Sequence, residues 1–279
     1  MDKEIFQQLA ELAESFNKIG LRPIICGALG IHLCFQKSQD KARRMIRTTN
    51  DIDLMLTKTQ VVDKALCNAI AEIITGELNY IVCEDDAHFR FKKEPDQRLD
   101  ILTPPIGGFK TKGYRIKLVR SKLHGHITEE ARFIEEDLRT VSLSGLLPSD
   151  KRENLEVMVP SPTNLLLLKL FAFDDRDSAQ REDGKRAQAH AWDIYITITL
   201  TNTNDYMEGQ EFLSRHRDSD IIRRAQLIIS NKFSAIDQAG WRYVLEASDF
   251  YPDLSRREKE NRLDEARRRL IKWFNVPTL

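Results

Sequence analysis

Asp51 and Asp53 stand one residue apart in "RTTNDIDLML", residues 47–56, where the neighbours from Ile52 onward are apolar. Side chains at i and i+2 of a strand point to the same face. The two carboxylates therefore share one face, and Ile52 and Leu54 share the opposite, buried one. Carboxylates that close repel each other unless something positive lies between them: a metal ion, a buried arginine, or only water screening the charge. Mg²⁺ is the usual partner in phosphoryl transfer, held by one or two carboxylates together with phosphate oxygens. The spacing alone is a weak signal, because D-x-D recurs at Asp175/Asp177 and Asp218/Asp220 in charged, helical surroundings. Context separates the first pair: a strand pattern, a glycine turn before it, and a third acid, Asp100, between Leu99 and Ile101 in "RLDIL". An acid flanked by apolar residues on a strand faces away from them. Asp100 can thus join the pair from a neighbouring strand.

The glycine turn supplies the second half of a phosphate site. Gly27 closes the β-rich run "RPIICG", and Ala28 opens "ALGIHLCFQ", which reads as a helix. Small residues at this junction let backbone N–H groups and a helix N-terminus approach the acids, and such a terminus favours anions. Glycine also serves any turn that needs φ > 0. Metal ions on one side and N–H donors on the other would grip a triphosphate.

These residues need elements to carry them. Ile5, Leu9, Leu12 and Phe16 place an apolar stripe on a helix over 3–18. "DIDLML" alternates with period two, the pattern of a strand with two different faces. A helical stretch covers 60–75, and "YIVCE", "HFRFKK" and "RLDILTP" follow as short strands. "IGGFKTKGY" reads as a loop, "EEARFIEEDLRT" as a short helix, and "TVSLSG" and "LEVMVP" as a pair of strands. "PSPTN" carries helix-start signals at Pro162. Beyond it the patterns are helical and charged. The expected architecture is α+β: a mixed sheet with flanking helices over residues 1–160, then a helical domain over 161–279.

The 279 residues carry 43 basic and 43 acidic side chains, so net charge is zero and bulk coating of nucleic acid is disfavoured. Local basic stretches exist at 37–47 and 110–122. No apolar run approaches the ~20 residues of a membrane span, so no membrane partner is expected. The N-terminus reads as an acidic amphipathic helix rather than a signal peptide. Four cysteines without C-x-x-C spacing suggest neither a zinc site nor a disulfide framework. The expected setting is reducing and cytoplasmic.

Taken together, "CGALGIHLCF", "RTTNDIDLML" and "RLDIL" resemble the nucleotidyltransferase superfamily related to DNA polymerase beta, and most of all the AbiEii-type nucleotidyltransferases of toxin–antitoxin and phage-defence systems. Arg47, Thr49, Asp51, Ile52, Asp53 and Leu54 match that family's R-x-T-x-D-I-D-L strand. Lys169, Leu170 and Ala172 resemble its K-L-x-A helix, Arg176 or Arg181 the following arginine, and Asp193 the last acid of its K-D-x-x-D helix. The chain departs from the pattern at Ala28, where the family has Gly or Ser, in the long connection from Gly27 to Asp51, and at His190, where Asp is usual; Lys185 and Arg186 stand a turn earlier.

The resemblance implies a metal-dependent nucleotidyltransferase that moves an NMP from an NTP to an acceptor hydroxyl with two Mg²⁺ (or Mn²⁺) ions. Asp51, Asp53 and Asp100 would be catalytic and metal-binding. Gly27, Ala28, Arg47, Lys169 and Asp193 would contact or support the nucleotide, in a cleft between the domains. Asp193 would orient Lys169 or an arginine through a salt bridge. The implied acceptor is RNA, such as a tRNA 3′ end, with Arg43, Arg44, Lys110 and Lys112 on its phosphates, and the implied partner is an antitoxin protein. Two rivals use the same residues differently: a small-molecule enzyme of the aminoglycoside-modifying kind, and a catalytically silent binding module. His32 is expected to pack on the turn helix, and His124 and His126, without further ligands at metal spacing, to lie at the surface.

Overall fold

The structure, a computed structural model, describes residues 3–83, 89–93, 96–107, 111–112, 115–117, 123–146, 155–178 and 184–276. It divides into two compact units, one of residues 1–34 and 47–161, the other of residues 35–46 and 162–279. The segment 35–46, which takes in most of the basic stretch 37–47 expected inside the first domain, thus groups with the second unit. A single 3₁₀ turn, Lys41–Met45, holds it. Asp40 caps that turn by accepting from Ala42 N at 2.7 Å, Ala42 is fully buried, and Trp192 Nε1 donates to Met45 O at 2.7 Å.

The first unit is a mixed sheet with helices packed on it. In chain order it runs α1 (Lys3–Lys18), β1 (Ile24–Ile25), α2 (Gly27–Cys34), β2 (Asp51–Met55), α3 (Lys58–Val62), α4 (Lys64–Glu72), β3 (Ile81–Val82), β4 (Arg90–Lys93) and β5 (Gln97–Thr103). Then follow β6 (Thr111–Lys112), β7 (Arg115–Lys117), β8 (His124–Ile127), β9 (Arg139–Ser142) and β10 (Glu156–Val159). The strand order is β6-β7-β8-β5-β2-β1-β10-β9, with β4 also paired to β5 and β3 to β4. β2 and β5 are parallel, as are β1 with β10 and β5 with β8. The apolar stripe of α1 (Ile5, Leu9, Leu12, Phe16) is buried against Ile25, Ile52, Leu54, Phe91, Leu99, Ile101 and Val157. One sheet face therefore builds the core, and the alternate residues of β2, β4 and β5 are left for the other face.

Two sequence readings differ from this picture. The stretch read as a loop, "IGGFKTKGY", contributes β6, and β7 and β8 were not anticipated at all. They are two to four residues long and mostly polar, too short to show an apolar alternation, so only backbone pairing reveals them. Gly125 is required in β8, because a Cβ there would lie 2.3 Å from Thr103 Cγ2 on β5. The expected helix at "EEARFIEEDLRT" is a single 3₁₀ turn, Glu129–Phe133. Lys110 and Arg181 lie outside the described residues.

The second unit is helical: α5 (Pro162–Ser178), α6 (Gly184–Leu200), α7 (Thr203–Arg215), α8 (Asp220–Lys232), α9 (Ala239–Leu245) and α10 (Arg256–Trp273). Asn202, Ser219 and Ser255 cap the starts of α7, α8 and α10 with their side-chain oxygens, as their residue types favour. α5 is buried along most of its length, including Leu165, Leu166, Leu167, Leu170, Phe171 and Phe173. Among the described residues no helix is long and apolar enough to cross a membrane.

Phe91 is the fully buried anchor of β4. Phe91→Ala should cost about 3–5 kcal/mol of stability, the usual loss for truncating a core aromatic. Urea unfolding followed by circular dichroism measures it, and a loss under about 1 kcal/mol would mean that β4 is not held by the core.

Candidate active site

The register of three strands builds the site. In the β2–β5 pairing Asp53 lies opposite Asp100, and Asp51 opposite Arg98. In the β4–β5 pairing Arg90 lies opposite Asp100, and Lys92 opposite Arg98. Paired residues share a face, and so do residues two apart on one strand. Two rungs therefore run side by side across one surface: Arg90–Asp100–Asp53, and Lys92–Arg98–Asp51. The opposite face carries Ile52, Leu54, Phe91, Leu99 and Ile101, all buried in the core.

The glycine turn closes on the first rung. β1 pairs antiparallel with β2, and Cys26 N donates to Asp53 O at 2.8 Å. Gly27 follows with φ +67°, in the left-handed region, and a Cβ on it would lie 1.8 Å from Asp53 Oδ2. Only glycine admits both this backbone and this carboxylate. Gly27 and the buried Ala28 begin α2 there, with no acidic side chain in its first turn.

The three acids are neutralised unequally. Asp100 is clasped by Arg90: Nε lies 2.9 Å from Oδ1 and 3.2 Å from Oδ2, and Nη2 lies 2.9 Å from Oδ2. Asp51 has a buried Oδ1 with no hydrogen-bond partner. Burial pushes its carboxyl above the usual range; Arg98 opposes this, Asp100 adds to it, and Arg90 and Arg47 oppose it more weakly. Burial wins, so Asp51 is short of positive charge. Thr49 Oγ1 accepts from Asp51 N at 3.2 Å and steadies the entry to β2.

Among the described residues, no three His, Cys, Asp or Glu side chains converge as they stand on a point that could hold a metal ion. The pair itself does suit a hard cation. Asp51 presents an orphaned buried oxygen, and Asp53 fills the space that Gly27 leaves open, both as carboxylate oxygen donors.

The remaining candidates lie elsewhere. In the helical unit Lys169 Nζ meets Asp193 Oδ2 at 2.8 Å, with side-chain exposures of 8% and 3%. That ammonium is already engaged by a buried carboxylate. The other D-x-D motifs are structural or solvated. Asp177 pairs with Lys232 at 2.6 Å and accepts from Tyr243 OH at 3.3 Å, and Asp175 meets Arg224 at 3.5 Å. Asp218 is exposed beside Arg217. His32 packs against Phe6 as expected, whereas His126, expected at the surface, is half-buried against Phe89, the rings tilted by 44° with centres 5.1 Å apart. Arg90, Lys92 and Arg98 went unnoticed in the sequence. The signal was present: Arg98 precedes Asp100 by two, and Arg90 and Lys92 alternate around Phe91.

Two outcomes follow from the burial of these charges. A carboxyl whose pKa is raised on folding favours the folded state only while protonated. Its ionisation opposes folding as pH climbs through the raised value. Asp51→Asn should therefore raise the metal-free melting temperature at neutral pH, with the gain vanishing in acid below the ordinary aspartate value of 3.8. Scanning calorimetry across pH tests the sign. Lys169→Ala should cost about 3–5 kcal/mol, because it strands a buried Asp193, whereas replacing both partners with apolar residues should cost much less. Chemical denaturation of the single and double variants separates these cases.

Comparison with known proteins yields little for the chain as a whole. No family model matches it, and no curated protein does. Among solved structures, the solution structure of the antibiotic-resistance factor ANT(2'')-Ia is similar to it at 15% identity and a TM-score of 0.39, covering 78% of this chain and 99% of that one. A likeness of that degree assigns neither fold nor activity.

Proposed function

We propose that the protein is a nucleotidyltransferase that moves an NMP from an NTP to an acceptor hydroxyl. The observation that carries this reading is the in-register placement of Asp51, Asp53 and Asp100 on one sheet face, with Gly27 folded directly against Asp53. Asp51 and Asp53 would hold the cation, and Gly27 and Ala28 would turn backbone N–H groups toward the nucleotide phosphates. Asp100 would accept the proton of the acceptor hydroxyl as its oxygen bonds to the α-phosphorus and the bond to pyrophosphate breaks. Bound Mg²⁺ or Mn²⁺ would supply Lewis-acid polarisation and neutralise phosphate charge. Arg47 tempers the charge of Asp51 from the strand entry. Lys169 and Asp193 would serve indirectly, by fixing α5 to α6 through their buried pair.

The second rung favours an anionic acceptor. Lys92 and Arg98 are exposed on the same face as the acids, in register with Asp51. A phosphate-bearing strand such as RNA, including a tRNA 3′ end, meets complementary charge there, while a cationic small molecule meets repulsion. The toxin role and an antitoxin partner enter through the family resemblance.

Incubation with each α-labelled NTP, Mg²⁺ and total RNA should yield labelled RNA. Asp51→Asn and Asp53→Asn should each lower that turnover at least about a hundredfold, comparable with losing a principal electrostatic stabiliser. Full activity in the double variant would end the nucleotidyltransferase reading. The acceptor is tested separately, by RNA affinity across a salt series. Replacing Lys92 and Arg98 with alanine should flatten the slope by roughly 1.4, about 0.7 for each lost contact to a single strand. An unchanged slope would shift the acceptor toward a small molecule.

A further inference from the structure

Arg90 occupies an odd position for a sheet residue. Its guanidinium covers both oxygens of Asp100, the acid in register with Asp53. A planar, permanently charged fork laid side-on against a carboxylate is the strongest ordinary ion-pair geometry. It lies on the far side of Asp100 from Asp53, because β5 runs between β4 and β2, and so it draws the Asp100 carboxylate away from the acid pair. Asp100 is thereby satisfied, while Asp51 Oδ1 has no hydrogen-bond partner and, among the described residues, no three potential ligands converge on one point. Strands in a sheet are about 4.8 Å apart, so a rotation of the Asp100 side chain away from β4 suffices to turn it toward Asp53.

We propose that Arg90 is a placeholder cation: it holds Asp100 away from the acid pair until nucleotide phosphates offer the guanidinium a better anion and free Asp100 to complete the site. This deepens the nucleotidyltransferase reading and rests on it. Three features allow the exchange. The Arg90 side chain is 26% exposed, against 16% for Asp100, so its outer edge reaches solvent. It belongs to the same charged surface as Lys92 and Arg98, where a triphosphate or a phosphodiester would be drawn. The Phe89 ring, 5.9 Å from the guanidinium carbon, offers it a second resting contact. Arg90 is thus a positioning residue for Asp100. It makes the complete metal site conditional on bound nucleotide.

Mn²⁺ binding followed by electron paramagnetic resonance, without nucleotide, reads this directly. Wild type should bind one ion, at Asp51 and Asp53. Arg90→Gln should bind a second ion, or bind Mn²⁺ at least about tenfold more tightly, since Asp100 is then free to turn toward Asp51 and Asp53 and add a third carboxylate. Arg90→Lys keeps the charge without the fork and should fall between the two. The effect must also run through Asp100: in an Asp100→Asn background, Arg90→Gln should change nothing. Adding a non-hydrolysable NTP analogue should bring wild type to the stoichiometry of Arg90→Gln. Equal Mn²⁺ binding by wild type and Arg90→Gln would overturn the placeholder role, as would an Arg90→Gln effect that survives in the Asp100→Asn protein. If Asp51→Asn still abolished labelling of RNA in that event, the nucleotidyltransferase reading would stand without it. Should Arg90→Gln not fold, the comparison of Arg90→Lys with Asp100→Asn carries the same test.

Discussion

The parallel register of β2 on β5 is the constraint from which the site follows. It places Asp53 beside Asp100 and Asp51 beside Arg98, and it sends Ile52, Leu54, Leu99 and Ile101 into the core. A slip of one residue would exchange the two faces, burying the acids and exposing the aliphatic residues. The core therefore specifies the register, and the register assembles the charges. Phe91 extends the same logic to β4, because its burial turns Arg90 and Lys92 outward on either side. Stability and chemistry share strands but divide their faces.

That division leaves a cost on the charged face. Asp51 is held where burial disfavours its ionised form, and the arginines around it compensate only in part. Asp53 is pressed against a glycine whose backbone few other residues adopt. Folded proteins keep such unfavourable arrangements where a ligand relieves them. The buried Lys169–Asp193 pair in the helical unit is the contrasting case, since each charge there is answered within the fold. The two sites thus differ in energetic character: Asp51 keeps a buried oxygen without a hydrogen-bond partner, whereas Lys169 and Asp193 answer each other's charge.

Much of this was legible in the sequence because it was periodic. Alternation in "DIDLML" located β2 and its two faces, and the apolar stripe of residues 3–18 located α1. The third acid was found the same way, from Asp100 between Leu99 and Ile101. Where periodicity failed, so did the reading. β6, β7 and β8 are short and mostly polar, and they exist through backbone pairing, which leaves no mark on residue type. Arg90 was visible as a residue, but its partner is set by the antiparallel register of β4 on β5, a long-range fact. The neutralisation of Asp100 by arginine could not be read from spacing for that reason. The surplus D-x-D motifs were separable only by context; in the fold Arg224 and Lys232 pair with Asp175 and Asp177, and Arg217 pairs with Asp218.

The segment 35–46 has a consequence for how the chain is divided. The polypeptide passes from the sheet unit to the helical unit after residue 34, returns after residue 46, and leaves again after residue 161. The helical unit is thus closed by a twelve-residue excursion inserted between the glycine turn and the aspartate strand. No single cut separates the two bodies. Removing everything beyond residue 161 would strip this excursion of Trp192 and leave it as an unanchored loop between Gly27 and Asp51. Each doubling of a flexible loop costs only about 0.6 kcal/mol, so the sheet unit would tolerate the loop. The two halves of the proposed phosphate and metal site would then be joined by a loop lacking the Trp192 anchor that it has in the intact chain, and a helical body exchanged for this one would have to supply its own donor to Met45 O.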